Sequence, residues 1–129
     1  MPQKISAPNE DSLLTEAISR AMIGLYGDFY DHDRTTATTY INDNVVVCVL
    51  ENILSIDETQ QIAHGHSGDV IDGRVAFQEG AEDEFTAAIE SLTGRKVIAF
   101  LSANQTAPGV ACELFFLDSK APAGGATGA

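Results

Sequence analysis

A chain of 129 residues, 44% of them hydrophobic, is long enough for one domain with one real core. Its formal net charge of −12 sets 19 acidic residues against seven Lys and Arg, which excludes a nucleic-acid partner, since such binding neutralises phosphates with cationic side chains. The same repulsion disfavours an anionic membrane surface, while a cationic ligand, a basic protein surface or a metal ion stays compatible with it.

Along the chain, residues 1–8 hold two prolines and no periodic pattern, and "SKAPAGGATGA" (119–129) has little that packs; both are expected to be disordered tails around a single domain at 9–118. The start lacks a basic patch followed by an apolar stretch, so it does not read as a signal peptide. The longest apolar run, "VVVCVL" (45–50), is far short of the roughly 20 residues of a membrane span. A cytoplasmic protein without direct membrane insertion is expected.

In "EDSLLTEAISRAMIGLYGDFY", Leu14, Ile18, Ala21, Met22, Leu25 and Phe29 recur at helical spacing, with Asp11 or Ser12 placed to cap the start. "TATTYI" (36–41) and "NVVVCVLE" (44–51) are rich in β-branched residues and flank an Asn-Asp-Asn reversal, which predicts a hairpin. "SIDETQQIAH" (55–64) opens with a capping box between Ser55 and Glu58 and predicts a short helix with Ile56 and Ile62 towards the core. A long helix is expected from about Gly68 to Thr93, its apolar stripe being Ile71, Val75, Ala81, Phe85, Ala88, Ile89 and Leu92, with Gly94 as its left-handed terminator. "KVIAFLSA" (96–103) and "GVACELFFLD" (109–118) are two further strands joined across "NQTAPG".

The order α-β-β-α-α-β-β predicts an α+β two-layer sandwich, a four-stranded antiparallel sheet with helices on one face. In the last strand Val110, Cys112, Leu114 and Phe116 alternate with Ala111, Glu113, Phe115 and Leu117, so one face is wholly apolar and the other mostly so. A second apolar face suggests a homodimer. Cys48 and Cys112 lie in β-like apolar runs without a C-x-x-C spacing, and are read as reduced, buried and inert.

Three places merit weighing as sites. In "AHGHSGD", His64 and His66 stand near Asp69, which are metal-ligand types, yet a helix end at His64, a terminator at Gly65 and a cap at Ser67 explain the same letters, and no helical H-x-x-x-H or H-E-x-x-H is present. His32, between Asp31 and Asp33, reads first as a solvated loop and second as a base or metal ligand. Arg74 is the sole basic residue between Asp69 and Glu90, among seven acidic ones, and could hold an internal carboxylate or a ligand's anionic group; the internal salt bridge is favoured. No nucleophile–base pattern, phosphate loop or cofactor fingerprint assembles, so no catalytic residue, metal or cofactor is assigned.

With these elements in place, the chain resembles the MpsC-like family of bacterial proteins, named after a component of a sodium-linked membrane-potential-generating system. The resemblance spans roughly residues 10–118 and rests on "AISRAMIGLYGDFY", "TYINDNVVVCVLENILS", the Arg74-centred "VIDGRVAFQ", and "IESLTGRKVIAFLSANQ" leading into "ELFFLD". Where such proteins usually carry a Gly-basic-Gly-Pro segment this chain reads "DHDR" (31–34), whose carboxylates would repel an anion. The resemblance implies a soluble accessory domain, a protein partner of a membrane system, with no established chemistry. The expectation is therefore a non-enzymatic accessory or interaction domain. Two alternatives come from other classes: a small-molecule sensor in which Arg74 reads an anionic ligand, and a metal-dependent enzyme using His32, His64 and His66.

Overall fold

The β-branched runs form strands and the amphipathic runs helices, in the order α1 (Glu10–Tyr30), β1 (Thr36–Asn42), β2 (Val45–Glu51), α2 (Ile56–Ala63), α3 (Ser67–Gly80), α4 (Glu82–Thr93), β3 (Val97–Thr106) and β4 (Gly109–Leu117). This computed structural model describes residues 10–30 and 34–119, with side-chain surroundings for 12–27 and 34–119. Nearly all of both expected tails, the Phe29 side chain, and Asp31, His32 and Asp33 lie outside the described residues.

The two hairpins join into one antiparallel sheet of order β1-β2-β4-β3, giving the expected α+β fold. The first hairpin turns at Asp43, whose φ of 58° is the left-handed conformation that Asn and Asp tolerate. β4 pairs with β2 on one side and β3 on the other, so its residues occupy the middle of the sheet. The second hairpin needs no long loop, because β3 runs on to Thr106 and β4 starts at Gly109. A side chain at Gly109 would stand 2.6 Å from Leu54 Cγ, so close approach of that segment requires glycine there.

Strand alternation gives the sheet two unlike faces. The inner one presents Val46, Cys48, Leu50, Ala111, Phe115 and Leu117 to the helices, all buried. Ile18, Met22 and Tyr26 reach it from α1 at four-residue spacing, and Phe85 and Ile89 from α4. Rings of Tyr26, Phe77 and Phe85 stand 5.3 to 5.9 Å apart, and Phe100 meets Phe115 at 5.0 Å. Each fully buried Ile, Met or Phe contributes roughly 1.5–3 kcal/mol over leaving it in water. The outer face carries a cross-strand row of Tyr40, Val47, Leu114 and Leu101. Tyr40 is 59% and Leu101 55% exposed.

Five local expectations need correction. The long helix is two helices meeting at Ala81, whose φ of −101° and ψ of 4° break the regular path after Gly80. Its inward line in α3 is Val70, Arg74, Phe77 and Gln78, whereas Val75, placed on the apolar stripe, is 40% exposed. The inward line departs from the hydrophobic stripe because two polar side chains, Arg74 and Gln78, are buried with partners. Ile56 is 74% exposed, since α2 packs against α3 and buries no residue of its own. Ser67 is the first residue of α3, not its cap; His66 holds the cap position without a side-chain bond. Cys48 is buried as expected, but Cys112 lies half-buried on the outer face. Gly94 does close α4 in the left-handed conformation, at φ 70°.

Candidate functional site

Two buried polar clusters tie the helices to one another and to the sheet. The first forms at the α2–α3 corner. Ser55 accepts a bond from the Glu58 amide while the Glu58 carboxylate accepts one from the Ser55 amide, at 3.1 and 2.9 Å, so the capping box is complete. The same carboxylate receives Arg74 Nε at 2.9 Å and Nη2 at 2.6 Å, a two-pronged pairing that matches guanidinium to carboxylate. Arg74 Nη2 also donates to the Ile53 carbonyl, locking the α2 approach loop to α3. Burial pushes the Glu58 carboxyl up, but Arg74 and the Ser55 amide outweigh it and hold the group below the usual range. Arg74 is 1% exposed, and the favoured internal ion pair is what the geometry contains.

The second cluster surrounds Glu113, the single ionisable residue on the inner face of β4 and fully buried. Its Oε2 accepts bonds from the Tyr26 hydroxyl and from Gln78 Nε2, the latter at 2.7 Å. Gln78 in turn exchanges bonds with the Asn104 amide at 2.7 and 3.3 Å, and its Nε2 lies 3.0 Å from the Tyr26 hydroxyl. Ser102, opposite Glu113 in the β3–β4 register, puts its hydroxyl beside the carboxyl, yet Oε1 completes no hydrogen bond. Burial dominates here, and the Glu113 carboxyl is raised above its ordinary value. Burial also pushes the Tyr26 phenol far up and the Cys48 thiol up to about 11, so neither ionises near neutrality. Arg74 Cζ sits 6.0 Å from the Tyr26 ring centroid and links the two clusters across its face.

A cleft of about 260 Å³ opens beside the second cluster, between the α3–α4 junction and edge strand β3. Gln78 and Ser102 line it next to Glu113, Val75 and Phe100 form apolar wall, and Glu79 and Glu82 stand exposed at its rim.

The two described histidines, His64 and His66, do not assemble with either cluster. His64 Nδ1 lies 2.8 Å from the Gln60 carbonyl, as a helix-terminal imidazole does, and Gly65 follows at φ 85°. His66 reaches Asp69 only at 3.6 Å, with both side chains well exposed. Among the described residues no three His, Cys, Asp or Glu side chains are placed to hold a metal ion. Glu113, Tyr26, Gln78 and Asn104 were not singled out from the sequence; the one available signal was an acid at an inward position of a strand otherwise apolar there.

A four-stranded antiparallel sheet with helices on one face, crossed by a buried line of paired polar groups, defines a small two-layer α+β domain. Residues 10–119 match the family described as "Na+-translocating membrane potential-generating system (MpsC)", and the chain belongs to that family. No curated protein and no solved structure matches it. No helix among the described residues is long and apolar enough to cross a membrane.

Proposed function

We propose that this protein is a non-enzymatic, cytoplasmic interaction domain that works as a homodimer joined through the outer face of its sheet, an accessory partner of a membrane system. The observation that carries the reading is the apolar outer face. Rows such as Tyr40–Val47–Leu114–Leu101 and Thr38–Val49–Cys112–Ala103 cross all four strands, and Glu51 at one end is the sole acid along their side of the sheet. At about 4.8 Å between strands and 3.3 Å per residue, four strands of seven residues present roughly 440 Å² of flat face, the scale at which an exposed apolar patch tends to be functional. In a chain of net charge −12, pairing through this near-neutral face keeps the acidic helix layers apart. The buried ionisable groups, meanwhile, tie elements to each other, which suits a scaffold.

Light scattering on the eluting protein tests the idea. The expected mass is twice the 13.7 kDa chain. Leu114→Lys, which would bury an ammonium on each side of the joint, should weaken dimerisation at least about 100-fold and leave the circular dichroism spectrum unchanged. A wild-type monomer at all concentrations, or a Leu114→Lys dimer of undiminished affinity, would defeat the reading.

A further inference from the structure

We propose that the cleft beside Glu113 binds a small aliphatic diamine, one ammonium pairing with the buried Glu113 carboxyl and the second with the acidic rim. The cleft shares Leu101 with the outer sheet face at the edge strand, but its polar end lies on the inner side, and the proposal does not rest on dimerisation.

Three observations converge on it. First, Glu113 is fully buried, and while Tyr26 and Gln78 both serve Oε2, Oε1 has no hydrogen-bond partner. A buried polar atom without a partner is costly and rare in native proteins, and it marks where a donor is missing. Second, the donors present are neutral: a phenol, an amide and a nearby hydroxyl, with no cation within the cluster's hydrogen bonds. Arg74 faces the Tyr26 ring and bonds Glu58, so its charge is committed at the other corner. Third, the residues flanking Glu113 are the ones that line the cleft. Gln78 donates to the carboxylate and Ser102 is its cross-strand neighbour, so a ligand entering between them arrives at the unpaired oxygen.

The chemistry of the walls narrows the ligand class. An ammonium offers three N–H donors, which suit the Glu113 carboxyl, the Ser102 hydroxyl and an amide oxygen of the Gln78–Asn104 pair. A bare alkali ion would make no use of Val75 and Phe100, whereas an alkyl chain packs on them. Glu79 and Glu82 at the mouth then meet a second positive charge some carbons away. The net charge of −12 concentrates cations near the surface and speeds their approach.

Isothermal titration calorimetry of the full chain with butane-1,4-diamine tests this, with butane-1,4-diol and butylamine as controls and sodium chloride matched for ionic strength. Saturable one-to-one binding of the diamine is expected, with butylamine weaker and the diol silent. Glu113→Gln, which keeps the shape and removes the charge, should weaken the diamine at least tenfold. The exposed double variant Glu79→Gln/Glu82→Gln should fold normally and bind diamine and butylamine equally. Absence of saturable heat, or affinity unchanged in Glu113→Gln, overturns the proposal. So does an equal saturable heat on titrating sodium chloride at the same ionic strength, which would reduce the effect to general charge screening.

Discussion

Glu58 and Glu113 are both carboxylates drawn into the helix layer, one at the α2–α3 corner and the other at the middle of the sheet, and their surroundings push them in opposite directions. Glu58 meets a guanidinium and a backbone amide, and is held below its ordinary value despite partial burial. Glu113 meets only neutral donors and keeps one oxygen without a partner, so burial wins and the carboxyl is raised. Burial alone thus sets no fixed electrostatic outcome; the sign depends on whether a cation accompanies the carboxylate into the interior.

Removing the cation breaks that contrast most severely. Arg74→Ala should cost about 3–5 kcal/mol, because it strands Glu58 and the Ile53 carbonyl together. Urea unfolding at pH 7 reads the loss, and Arg74→Lys should restore only part of it, since a single ammonium cannot reproduce the two-pronged bond. Next in size, Glu113→Gln should stabilise the protein by about 1–3 kcal/mol at pH 8. The raised folded value means that Glu113 favours folding below its unfolded pKa, a contribution lost as pH climbs through the folded pKa. The variant's advantage should therefore shrink to nothing near pH 4, and unfolding curves across pH 4–8 would expose a constant offset if the reasoning fails. Glu58 has the reverse sign. Its contribution is present above the unfolded value and disappears as pH falls through the lowered folded one. The difference between wild type and Glu58→Gln should accordingly close on acidification. The smallest effect belongs to the cap: Ser55→Ala should cost about 1 kcal/mol, visible as faster amide exchange at Glu58.

How far the residues announced all this also differs between the two corners. The Ser55–Glu58 box lies within four consecutive letters, so local spacing revealed it, and Arg74's abundance of acidic neighbours pointed to an ion pair. The strands followed from β-branched runs, and the hairpin at Asp43 from residues that accept positive φ. The Glu113 cluster was hidden because its members are 87 and 35 residues from Glu113 and meet only in the folded chain. The same concealment misphased α3. Hydrophobicity favours Val75 as an inward residue, but Gln78 and Arg74 turn inward instead because partners await them there.

The break at Ala81 has a geometric meaning as well. A straight helix of 26 residues would extend about 39 Å, whereas a four-stranded sheet is roughly 19 Å across. Divided into pieces of 14 and 12 residues, the same stretch gives rods of about 21 and 18 Å, each commensurate with the sheet it roofs. One joint of glycine and alanine lets a long segment change direction over a small platform instead of running past it as a single straight rod.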